Sequence, residues 1–213
     1  GDAIGLIKPP RYNRETYVEL LKLIFDLLVK SRKEGLLAIE NDISEPAKSP
    51  LFSKYPRILD DHHMTEFVVD CLRLMVGGNL DPNELETLLD YELETHHKEA
   101  HEPAHAVQQV ADALPGFGIV AAVLGIVNTM AAVADSSAAE LGEKVGAALV
   151  GTFLGVFLAY GLVEPMATRL KQIIDEDGEI YHVAKHALIG HLQGYPVPLI
   201  IESARAAISH HSQ

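Results

Sequence analysis

Leu114 to Ala134 reads LPGFGIVAAVLGIVNTMAAVA, without one charged side chain, and Val145 to Val163, VGAALVGTFLGVFLAYGLV, repeats that character a short loop later. As a helix rising about 1.5 Å per residue, each stretch is long enough to cross a hydrocarbon layer of roughly 30 Å. The two read as a transmembrane hairpin, with spans at 114–134 and 145–163. Working outward, 1–113 reads as a helical water-facing domain and 164–213 as a helical tail.

Nearly all the charge lies outside those spans. Thirty Asp and Glu against 17 Lys and Arg give a formal charge of −13 over 213 residues. So acidic a surface argues against nucleic acid as a partner. Cys71 is the one cysteine, which excludes an internal disulfide and fits a reducing compartment. Trp is absent, so the interfacial rings reduce to Phe117 and Tyr160. GDAIGLIK is too short and too acidic for a signal peptide, and the chain reads as the remainder of something longer.

In order along the chain, Pro9-Pro10 signals a turn, and Arg14 to Leu37 carries apolar residues at Tyr17, Leu20, Leu21, Ile24, Leu27 and Leu28, the spacing of a one-sided helix. Ser44 to Asp60, with Pro46, Pro50 and Pro56, reads as a surface loop touching down at Leu51, Phe52 and Tyr55. A helix over His62–Val76 should stop at Gly77-Gly78-Asn79. Asp81-Pro82-Asn83-Glu84 then opens a third helix. This helix leads through Ala104 to Ala113 into the first span, with Pro103 as a candidate break. Glu164-Pro165 marks a kink or boundary after the second span, Ile173 to Gly194 is amphipathic, and Leu199 to Ser209 closes the chain as a short helix. The fold class is all-α.

Arg169 and Lys171 follow the second span, whereas the loop Asp135 to Lys144 holds one Lys against three acids. This bias places the bulk of the chain in the cytoplasm. Inside the spans, Gly151, Gly155 and Ala159 recur at helical spacing in the second, and the first offers Gly118, Ala121, Ala122 and Gly125 within two turns. Small residues let helices approach closely in lipid, within the hairpin or towards other subunits. Thr152 is expected to bond its own i−4 carbonyl or to line a water or ion path. Neither span contains Asp, Glu, Lys, Arg or His, so a protonatable carrier has to come from elsewhere. His97, His101 and His105 stand at i, i+4 and i+8 near His96. They would suit a metal only if the helix ran through Pro103, and otherwise read as a solvated, pH-sensitive stretch. No nucleotide-binding loop or nucleophile–base constellation is present, and neither an enzyme nor a cofactor is expected.

The pair LPGFGIVAAVLGIV and VGTFLGVFLAYGLVEP, with SRKEGLLAIENDI, YPRIL and LETH upstream, resembles the motility protein A family, the ring-forming stator subunits of the bacterial flagellar motor. The resemblance covers about Tyr12 to Arg205. It implies a polytopic all-α protein of the bacterial inner membrane, with four spans of which these are the last two, the first two preceding Gly1. It further implies a homo-oligomeric ring around a dimer of MotB, whose transmembrane Asp carries the ion. Residue by residue, Arg32, Glu40 and Glu92 correspond to charged positions that engage the rotor protein FliG. Pro115 and Pro165 match prolines thought to couple ion passage to cytoplasmic movement, and Thr152 matches a hydroxyl facing the ion path. Ala122 stands where sodium-driven relatives tend to carry Thr, which favours protons. An ExbB/TolQ-like energy-transducing ring or a passive membrane scaffold are the alternatives.

Overall fold

The computed structural model describes residues 11–77 and 81–206, and among these every regular element is helical. The Pro9-Pro10 turn, Gly78-Asn79 and the last residues of the expected closing helix lie outside them. Two compact bodies emerge. One is Ala100–Ile173; the other takes the described residues of Lys8–Glu99 and Ile174–Gln213.

The second body is built on α1, Arg14–Glu34. Asn13 caps it, its side chain accepting from the Thr16 N–H at 3.0 Å. Leu20, Leu23, Ile24, Leu27 and Leu28 are fully buried along one stripe, each contributing about 2 kcal/mol on transfer from water. The helix ends at Glu34 rather than Leu37, because Gly35 turns to φ 91°, a conformation that disfavours any side chain, and its N–H closes on the Ser31 carbonyl.

Leu36–Ile39 follow as a 3₁₀ turn, then the short α2, Glu40–Ser44. The segment expected to be an open loop is instead a chain of helical turns. Pro46–Lys48 and Phe52–Lys54 are 3₁₀, and α3 spans Pro56–Leu59. Pro46 and Pro56, which discourage a long helix, sit at first-turn positions of short ones, where no N–H is missed. Phe52 is fully buried. The YPRIL stretch clasps α1: the Tyr55 hydroxyl donates to Asp26 at 3.0 Å, and Arg57 pairs with Glu15 and with Glu19.

Next come α4, His62–Gly77, and α5, Pro82–Ala131. No break occurs at Pro103. A single proline removes one backbone hydrogen bond, and α5 continues through both Pro103 and Pro115. Beyond a short turn, α6 runs over Ala138–Leu158. It starts well before Lys144, because Ser137 and Glu140 form a reciprocal capping box. Glu164-Pro165 is not an end: a π-helical turn at Ala159–Val163 passes directly into α7, Glu164–Leu192. The chain closes with α8, Val197–Ala206. Besides α1, the core of this body takes Met64, Val68 and Leu72 from α4, Leu85 and Leu89 from α5, Ile180, Val183 and Leu188 from α7, and Ile200 from α8.

Candidate functional site

Arg32, Glu40 and Glu92 all belong to the second body and are exposed. Arg32 lies in the last turn of α1, and its guanidinium donates to the Tyr195 carbonyl, which Gly194, at φ 82°, presents between α7 and α8. Glu40 opens α2, where Ile39 and Ile43, both buried, leave it on the solvent side. Glu92 stands on α5 at the wall of a groove of about 570 Å³, with Glu66 and Asp70 of α4 opposite and Tyr181 among the lining residues. Burial, then the negative charge of Asp70, raise the Glu92 carboxyl above its ordinary range.

Several polar residues behind this surface were not singled out from the sequence. Asp42, 5% exposed, receives the Lys30 ammonium at 2.7 Å and the Ser49 hydroxyl at 2.6 Å. Lys185, also 5% exposed, places its ammonium 2.5 Å from Asp90 and 3.6 Å from Glu86. The amphipathic pattern of Ile173 to Gly194 was visible, but a lysine on its buried side is distinguished only by partners ninety-odd residues away.

The hairpin residues belong to the other body. Buried residues on α5 recur at seven-residue steps, Ala104, Ala111 and Gly118, with Ala122 and Thr129 forming a second row. Against this part of α5 lie Ala148, Gly151, Thr152 and Gly155 of α6, and Ala159 of the π turn is fully buried. Contact is at backbone distance. A methyl placed on Gly118 would come 2.9 Å from the Gly151 carbonyl oxygen, and one on Gly155 would come 2.8 Å from that of Leu114.

A methyl on Gly125 would likewise come 2.6 Å from the Ala148 Cβ. This is small-residue packing of two membrane helices. The Thr152 hydroxyl does not turn to its own helix at i−4 but donates to the Gly118 carbonyl, at 3.3 Å. Ala122 is buried on the same seam. The outer faces are apolar and bare, with Phe117 and Phe153 each 69% exposed and Leu124 62%, as surfaces meant for lipid or neighbouring helices are.

Pro115 and Pro165 each interrupt a helical ladder. Pro115 removes an N–H one turn below Gly118, where Leu114 meets Gly155. Pro165 follows the π turn, in which the Glu164 N–H reaches back to the Ala159 carbonyl. Its ring would crowd the Gly161 carbonyl in a regular α-helix, and a widened turn relieves that contact. The histidine row lies on α5, and His97 is 3.9 Å from an Asp175 carboxylate oxygen.

Residues 60–182 match the family described as the MotA/TolQ/ExbB proton channel family. The chain belongs to this family. Motility protein A of Salmonella typhimurium is 44% identical over 95% of this chain and 68% of its own length, and that of Escherichia coli 43% over the same shares. A chemotaxis protein, LafT, of Vibrio parahaemolyticus is 38% identical over 95% of the chain and 70% of its own. In fold, the chain is similar to the C. jejuni MotAB structure with a TM-score of 0.73 at 20% identity, covering 96% of this chain and 71% of that one. It is likewise similar to the flagellar MotAB stator complex from Bacillus subtilis, with a TM-score of 0.69 at 24% identity over 93% and 69%. The all-helical membrane fold expected from the two apolar stretches is thereby confirmed. Two of its helices are long and apolar enough to cross a membrane, as suits a proton channel family.

Proposed function

We propose that this stator subunit of the flagellar motor forms a ring of identical copies around a MotB dimer and lines the path along which MotB carries protons. The observation that carries this reading is chemical. Neither 114–134 nor 145–163 holds an ionisable side chain, yet proton relays through lipid need one. These two spans therefore supply wall rather than carrier, and on this reading the titrating carboxylate is the Asp of MotB. Two MotAB complexes among its structural neighbours support the pairing.

By this reading 1–113 and 164–213 are cytoplasmic and 114–163 crosses the membrane. Ala122 favours protons, because a methyl offers no oxygen to a dehydrating sodium ion. Protonation of the partner's Asp changes its contacts with the hairpin, the ring moves about the dimer, and Arg32, Glu40 and Glu92 act on FliG. The membrane potential supplies about 2.3 kcal/mol per charge per 100 mV, so torque needs no chemical catalysis by this chain.

The test is proton conductance in cells co-expressing the complete subunit and a MotB lacking its plug. A passive scaffold predicts none in assembled complexes. Replacing Arg32 and Glu40 together by Ala should then lower torque with conductance and assembly intact. Full torque in that variant removes the pair from the mechanism.

A further inference from the structure

Arg32 and Glu40 sit on separate elements, α1 and α2, and exposed charges on separate elements are held at a fixed spacing only if something behind them is rigid. Each has a neighbour two residues away that points the other way. Lys30 shares the last two turns of α1 with Arg32, and Asp42 shares the short α2 with Glu40. Those two neighbours are bonded to each other, Lys30 Nζ to Asp42 Oδ2 at 2.7 Å. The second Asp42 oxygen accepts the Ser49 hydroxyl at 2.6 Å, and the Ser49 oxygen in turn accepts the Leu51 N–H at 3.1 Å.

The Asp42 side chain is 6% exposed, that of Lys30 31%. An α2 of a single turn has little stability of its own, and its other anchors are Ile39 and Ile43, buried against the core, with one long bond of 3.5 Å from the Arg73 guanidinium to the Ile43 carbonyl. Apolar contacts are non-directional and leave rotation about the short helix axis loosely fixed. A two-point grip on one carboxylate, from α1 on one side and the 46–54 turns on the other, fixes it.

We infer that Lys30, Asp42 and Ser49 are positioning residues, a polar clamp closed on the buried Asp42 carboxylate that sets where Glu40 stands relative to Arg32. The inference rests on the reading of Arg32 and Glu40 as rotor-engaging residues. The clamp touches no rotor group itself. It acts through the two charges it holds, so its effect on torque vanishes when they are absent.

The experiment measures torque per stator unit, from stepwise speed increments of a tethered load, in the complete motor. Asp42→Asn keeps the shape of the side chain and weakens the ion pair. It should lower torque per unit about twofold or more in the otherwise natural protein, and Lys30→Met should do the same while Lys30→Arg restores torque. On an Arg32→Ala, Glu40→Ala background, Asp42→Asn should cause no further loss, the non-additivity expected of groups that act as one unit.

A further loss of similar factor on that background overturns the clamp and leaves the rotor reading standing. Natural torque in the Arg32→Ala, Glu40→Ala background overturns the rotor reading, and the clamp with it. If Asp42→Asn lowers the number of units per motor, Ser49→Ala, which leaves the ion pair in place, is carried through the same comparison, and additivity there counts against the clamp equally.

Discussion

The Thr152 hydroxyl donates to the Gly118 carbonyl across the hairpin, at 3.3 Å, a bond that forms only because two glycines bring the backbones together. With any larger residue at Gly118 or Gly155 the helices separate and the donor reverts to its own helix. Thr152 is thus a gauge of how closely the spans pack.

Glycines of these spans should therefore differ sharply in tolerance. Gly155→Ala puts a methyl 2.8 Å from the Leu114 carbonyl oxygen and 2.9 Å from the Gly118 Cα, both backbone atoms that cannot turn aside. Gly151→Ala is crowded by the Ala121 methyl at 3.2 Å and otherwise makes ordinary contacts, 3.7 Å to the Gly118 oxygen and 3.8 Å to the Ala122 nitrogen, and Gly146→Ala meets nothing within 4 Å. Gly155→Ala should lower the thermal midpoint of the detergent-solubilised complex by several degrees, and Gly151→Ala less. Gly146→Ala should leave it unchanged or raise it, since Ala is favoured over Gly in helices by up to about 1 kcal/mol. Equal midpoints for Gly155→Ala and Gly146→Ala would refute close packing at the seam.

Much of this arrangement was legible from the sequence, for identifiable reasons. Absence of charge over two long stretches marks two long apolar helices, the period of Leu20 to Leu28 marks α1, and Gly151, Gly155 and Ala159 announce a tight face by size alone. Other features depend on partners remote in sequence. Nothing near Lys185 shows that Asp90 awaits it, and nothing near Asp42 distinguishes it from the exposed Glu40 two residues earlier. Proline misled in both directions. Pro46 and Pro56 begin short helices rather than preventing them, while Pro103 sits inside an unbroken one, because neighbouring turns carry the helix past a single missing bond.

Lys185 and Asp90 should respond unequally to removal. Lys185 is buried, but the Asp90 and Glu86 side chains are 56% and 40% exposed and can be hydrated without it. Lys185→Met leaves no stranded charge and should change unfolding stability by less than about 1 kcal/mol. Asp90→Asn leaves a buried ammonium with only Glu86, at 3.6 Å, and should cost about 1–3 kcal/mol. Urea denaturation of the two variants decides it, and the reverse order would show that the lysine is the better solvated partner.

Acid should weaken the body that carries Arg32. Burial, then the nearby Arg32 charge, lower the pKa of His191, whose Nδ1 is buried with no hydrogen-bond partner; burial, then Lys185, lower that of His182. A histidine whose folded pKa lies below its unfolded value near 6.5 binds protons better when unfolded. Its penalty is absent above about pH 6.5 and grows as pH falls towards the folded value. The thermal midpoint should drop between pH 7.5 and 5.5, the drop should shrink in His191→Gln, and it should shrink further with His182→Gln added. An unchanged slope in the double variant would assign the acid sensitivity to other groups.

The π turn at Ala159–Val163 accounts for a change in spacing along the seam. Gly155 follows Ala148, and Ala159 follows Thr152, at the seven-residue step of two helices packed side by side, but the next fully buried small residue, Ala167, comes eight after Ala159. A π turn holds one residue more than an α turn would, so the eighth position arrives where a seventh should. Removing one residue from that turn should convert it to α-helix and leave Ala167 on the seam. Tyr160, 59% exposed, is the residue to delete. Deleting Phe153, 69% exposed but in regular α-helix, should instead rotate everything beyond it by about 100° per residue lost, carrying Gly155 and Ala159 away from α5. The Tyr160 deletion should therefore assemble and keep most of its thermal midpoint, and the Phe153 deletion should not. Equal loss in both would show that the π turn itself, rather than the register it restores, is what the hairpin requires.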